Sequence, residues 1–144
     1  MGTASTITST HLDAIRTHSL RREAAIGAVA ATAANAAVWV AGRAADVSFL
    51  VVPLGGTEAI EVGIAAVVLT TLIMFAMGMG LFALAARHSD RWARAVLAAG
   101  VVVAVASASG PLTAAEGAST GVLLASMHLL TGAAFAITAS RARR

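Results

Sequence analysis

The chain has 144 residues, 58% hydrophobic and 12% charged, with a formal net charge of +3 and a mean hydropathy of +0.85. Soluble domains carry about 25% charged residues, so the composition excludes an ordinary water-soluble domain and points to the bilayer as solvent. The chain has no cysteine, which excludes disulfides, thiolate catalysis, iron–sulfur clusters and cysteine-held zinc.

Every basic residue is arginine, and the sequence pI is near 11.4. The arginines sit in short groups beside apolar runs, as topology signals do, rather than along a nucleic-acid-binding face. No nucleic-acid partner is expected; the lipid bilayer is.

Residues 1–22 are polar and Ser/Thr-rich, and read as a mobile or partly helical cytoplasmic tail ending in Arg21 and Arg22. Residues 23–144 read as one membrane domain. Its first apolar run, 24–42, is alanine-rich. The small residues of "TAANAA" would also suit signal-peptide cleavage, but removal would leave an odd number of helices. The connection that follows carries Arg43, Asp46, Glu58 and Glu61, and its apolar centre, 49–54, is too short to span. Pro53, Gly55 and Gly56 break it into an interfacial loop. Thr57 is placed to cap the helix that carries the second apolar run, 60–86, with Glu58 and Glu61 in its first turn against the helix dipole.

An arginine-rich turn, "RHSDRWAR", separates this run from the third, 95–109, which breaks at Gly110 and Pro111. A short outer loop leads to the fourth run, 120–140. Nine of the ten arginines then fall on one side of the membrane, leaving Arg43 on the other. The positive-inside rule makes that side cytoplasmic and places both termini there. The expected fold is therefore an all-α bundle of four transmembrane helices, multi-pass in a bacterial plasma membrane.

Small residues let helices approach closely in lipid, where hydrophobic driving force between helices is weak. Gly27, Gly63, Gly78, Gly121 and Gly132 are the expected packing positions. Gly121, Ala125, His128 and Gly132 share one stripe of the fourth span.

Asn35, Ser107 and His128 each lie thirteen residues from an arginine, Arg22, Arg94 and Arg141 respectively. At 1.5 Å per residue that is one level, roughly 20 Å from the arginine boundary. Thr71 lies about one turn further out. These four residues form a candidate buried polar layer. A neutral His128 would donate to Ser107 or Asn35 and pin helix register. The other reading is an outward-opening pocket around His128 that binds or transports a small molecule or ion.

Glu58 and Glu61 sit at the outer rim and no carboxylate lies deeper in a span, which speaks against proton-coupled export of the kind small four-helix multidrug transporters perform. His128 is the one histidine inside a span, so haem would need a methionine or a second copy as its other axial ligand. Zinc would need His11, His18 or His88, all about 20 Å from His128. No cofactor and no metal site are expected. No nucleophile–base–acid set is present, so the chain does not read as an enzyme. Glycine-rich faces admit a second copy or another membrane protein as partner.

The segment "SASGPLTAAEGASTGVLLASMHLLTGAAFAI" resembles the C-terminal half of small four-helix actinobacterial membrane proteins catalogued as domain of unknown function (DUF) 6069. The resemblance rests on Ser107, Gly110, Pro111 and Leu112 at the end of the third span. Met127, His128 and Leu129 carry it in the fourth. It implies fold and membrane location, and carries no activity.

Overall fold

Four helices long and apolar enough to cross a membrane dominate the computed structural model, which describes the backbone of residues 3–143 and the side chains of residues 19–143. Helix α1 covers Thr3–Ala44, α2 Ile64–His88, α3 Asp90–Ser107 and α5 Ala118–Arg141. A short α4, Ser109–Ala114, continues α3 so closely that Asp90–Ala114 forms one candidate span.

The first helix differs from the expected tail and span. It runs unbroken from Thr3, because no glycine or proline interrupts the sequence before Gly27. Its apolar part starts near Ser19. The side chains of His11, Arg16, His18 and Arg144 lie outside the described residues.

The second helix starts later than expected. Gly63 is its N-cap, with no side-chain cap, and Thr57, Glu58 and Glu61 precede it. Residues 50–61 form an antiparallel hairpin instead: β1 (Leu50–Val51) pairs with β2 (Ile60–Glu61), Leu50 opposite Glu61. The Pro53–Gly56 turn, closed by Gly56 N–H donating to Pro53 O at 2.8 Å, reverses the chain. Gly55 supplies the left-handed φ of +81° that this reversal uses.

The second connection is a single residue, and the third is largely helical. Ser89 is the one residue between α2 and α3; its hydroxyl accepts from Trp92 N–H at 3.3 Å, and Asp90 opens the next helix. At the other end α3 stops at Ser107, three residues before Gly110. Proline at 111 has no N–H to offer the Ser107 carbonyl four residues back, so the regular ladder ends there.

The long helices run up and down around a ring, α1 beside α2, α2 beside α3, α3 beside α5 and α5 beside α1, with α2 and α5 meeting across the diagonal. An even number of spans puts both chain ends at one end of the bundle, with the arginine groups. The hairpin covers the opposite end. There Val52 N–H donates to Ala114 O and Glu116 N–H to Leu50 O, which ties the α4–α5 connection to β1. Two apolar clusters fill the interior. One, towards the arginine end, holds Ala31, Phe75, Met79, Phe82, Ala93, Phe135 and Ala139. The other, beneath the hairpin, holds Phe49, Val67, Leu124 and Met127.

Most of the helix surface is apolar and exposed, including Val29, Leu69, Ile73, Val102 and Ile137. Outside a membrane such a surface would aggregate; within one it meets lipid.

Candidate functional site

Between the two apolar clusters lies a polar girdle one side chain thick. Asn35 follows Ala31 by one turn, Thr71 stands between Val67 and Phe75, and Thr131 between Met127 and Phe135. These positions keep a spacing of three or four residues, so each polar side chain shares its helix's buried stripe. Asn35 is 2% exposed and Thr71 5%.

One amide joins three helices. Asn35 Nδ2 donates to Thr71 Oγ1 and to Thr131 Oγ1, both at 2.9 Å. The hydroxyls are committed in turn to their own helices: Thr71 donates to Val67 O at 2.7 Å and Thr131 to Met127 O at 2.9 Å. Every hydrogen of the set is therefore used. Asn35 Oδ1 and the nearby Thr32 Oγ1 are buried without a hydrogen-bond partner.

His128 and Ser107 do not join this girdle. Ser107 Oγ lies 3.0 Å from His128 Nδ1, and the pair sits on the outside of the bundle at the seam of α3 and α5. Ser107 is half-buried and His128 exposed. The expected single layer is thus two separate groups at a similar depth. The reason is helical phase. The inward stripe of α5 runs through buried Leu124, Met127, Phe135 and Thr138 with half-buried Thr131 between them, and His128 lies about 100° around the helix from Met127. The glycine stripe that includes His128 does make close contact, but with α3 and α4 rather than with the bundle centre.

The expected packing glycines divide in the same way. A Cβ at Gly132 would overlap Ala104 on α3, and one at Gly27 would overlap Thr138 on α5. Gly78 faces the Phe135 ring, with 3.2 Å left for a Cβ, and Gly121 faces Pro111 O at 3.3 Å. Gly63 is different: it faces open space as the N-cap of α2. Two close approaches fall at positions that were not expected. Gly100 lies under Phe135, and Gly42 lies under Phe49 and Leu123.

At the hairpin end Trp39 organises a second cluster. Its Nε1–H donates to Val62 O at 2.8 Å, its ring stacks on Phe49 at 6.0 Å, and the Arg43 guanidinium lies 5.8 Å from the ring centre. Arg43 also pairs with Glu61 at 3.0 Å, across an exposed surface. Phe49 is fully buried, and reaches its place with a left-handed φ of +54°. Asp46 shares that conformation at +58°. Such backbone costs about 1–2 kcal/mol per residue, and burying a phenylalanine offsets it.

Among the described residues no three His, Asp or Glu side chains converge on a point where a metal could sit. The geometry is that of an interhelical hydrogen-bonded girdle and a separate, outward-facing serine–histidine pair.

No curated protein and no solved structure matches the chain. A family model matches residues 15–144, which takes in all four candidate spans and both polar groups. On that match the chain belongs to DUF6069, a family of unknown function.

Proposed function

We propose that the protein is a structural or accessory component of a bacterial plasma membrane, not an enzyme, with both termini in the cytoplasm. The observation that carries this reading is the Asn35 amide, buried and donating to two other helices at once. Such a girdle fixes the register of three spans. Its hydroxyls hold no free hydrogen with which to pass a proton or strip a hydrated ion. The arginine distribution supports the orientation, with Arg43 alone at the hairpin end. The alternative, a transporter with a pocket around His128, would need that side chain to line the interior; it lies on the outside.

The two parts of the reading have separate tests. Cysteine-scanning is clean because the chain has no cysteine. Asp90→Cys should be reached by a membrane-impermeant maleimide only after cell lysis, and Glu58→Cys in intact cells. The reverse pattern refutes the orientation. For the role, proteoliposomes should show proton and small-cation permeation equal to that of protein-free vesicles. A flux above that background, abolished by Asn35→Leu, would make the protein a transporter.

A further inference from the structure

A histidine at mid-membrane depth on the lipid-facing surface is costly unless its polar edge is used. His128 lies ten residues from the start of α5 and thirteen from its end, or about 15 and 20 Å along the axis. Lipid phosphates do not reach that depth.

The protonation pattern of the pair follows from the end of α3. Ala108 N–H donates to Val105 O at 3.3 Å instead of to Ala104 O, so the last turn tightens and the Ala104 carbonyl loses its ladder donor. Ser107 replaces that donor: its hydroxyl donates to Ala104 O at 3.1 Å. Ser107 has one hydrogen, and it is now committed. With that hydrogen on Ala104 O, the 3.0 Å contact with His128 runs from Nδ1–H to Ser107 Oγ. That tautomer leaves Nε2 as a bare acceptor on the exposed edge of the ring.

Hydrocarbon offers no donor to such a nitrogen. A second copy whose two-fold axis passes through His128 would bring the same acceptor to face it and would not complete the pair. The seam beside it is shallow, because Gly132 packs directly on Ala104, and a flat apolar body can lie along it.

We propose that the α3–α5 seam at Ser107 and His128 is a binding site for an uncharged, hydrocarbon-soluble molecule that donates a hydroxyl hydrogen bond to His128 Nε2. The shared chemistry is a hydroxyl donor on an apolar body, and an alkyl-tailed hydroquinone and a diacylglycerol are its two sources to be distinguished. This site is independent of the Asn35 girdle, and neither depends on the other's role.

The test uses the full chain, labelled with ¹⁵N-histidine and ¹⁵N-asparagine, in lipid nanodiscs. The His128 resonances are assigned by their disappearance in His128→Gln. The free protein should show Nδ1 protonated and Nε2 bare. Titration with decylhydroquinone or with dioctanoylglycerol should then move the Nε2 resonance saturably, and the dimethyl ether of decylhydroquinone should not move it. A response to one hydroxyl probe identifies the source, and a response to both supports the shared chemistry. Ser107→Ala, which frees the ring to exchange tautomers, should weaken binding about tenfold while leaving the Asn35 amide signal in place. Four results would overturn the proposal: a protonated Nε2 in the free protein, no shift with either hydroxyl probe, an equal shift with the ether, or His128 already covered by another protein chain.

Discussion

Substitution of Asn35 separates a hydrogen-bonding lock from mere filling of space. Asn35→Ala removes two interhelical bonds. At about 0.6 kcal/mol each, the average measured for such bonds in membranes, the loss is about 1 kcal/mol. Both threonines keep their backbone acceptors, and the unpartnered Oδ1 disappears with the side chain, so no new buried polar group is stranded. Asn35→Asp replaces the donating nitrogen with an oxygen among hydroxyls whose hydrogens are already committed. It loses the same two bonds and places a carboxyl in the bundle centre, where the Thr71 and Thr131 hydrogens are already committed. A carboxylate at a helix centre costs about 2.5–3.5 kcal/mol, which brings the total to about 4 kcal/mol. The difference between the two variants is then about 3 kcal/mol, more than a hundredfold in the folding equilibrium. Equilibrium unfolding in mixed micelles of mild and denaturing detergent measures it, with Asn35→Leu as an uncharged control that should match alanine within about 1 kcal/mol. If Asn35→Asp unfolds with Asn35→Ala, the amide does not act as a shared donor and the reasoning fails.

Three further outcomes follow from the packing. Gly100→Leu and Gly132→Leu should each lower stability by about 1–3 kcal/mol, because Phe135 and Ala104 already occupy the space. Gly63→Ala should stay within about 0.5 kcal/mol, and thermal melts in nanodiscs separate the two classes. Arg43→Ala should cost about 1 kcal/mol through its exposed ion pair and its place over Trp39, and the cost should shrink when the melts are repeated at high salt. Phe49→Ala should cost about 3–5 kcal/mol in the same assay, since the ring is fully buried beneath the hairpin.

The spans were legible because length and apolarity decide them locally, and the arginine groups mark one end without reference to packing. Asn35 and Thr71 were legible as polar residues at membrane depth. Which of their neighbours shared the interior was not. That depends on rotation about each helix axis, and on α5 small residues mark one face while the bulkier stripe through Met127, Thr131 and Phe135 marks another. Reading the glycines as the inward face put His128 in the girdle and left Thr131 out. Weighing the three- and four-residue spacing of the large apolar residues would have found Thr131. The hairpin escaped for a different reason: its strands are two residues each. Their pairing depends on the end of α4 and on Trp39, far away in sequence.

The central claim is that the Asn35 girdle is sealed, and hydrogen–deuterium exchange of its side-chain amide tests this most directly. In nanodiscs both Nδ2 protons should exchange as slowly as backbone amides in the middle of α2, because each is held in a hydrogen bond inside a dry core. Exchange at the rate of a solvent-exposed asparagine would mean that water reaches the layer, and would contradict the account of it as a structural lock.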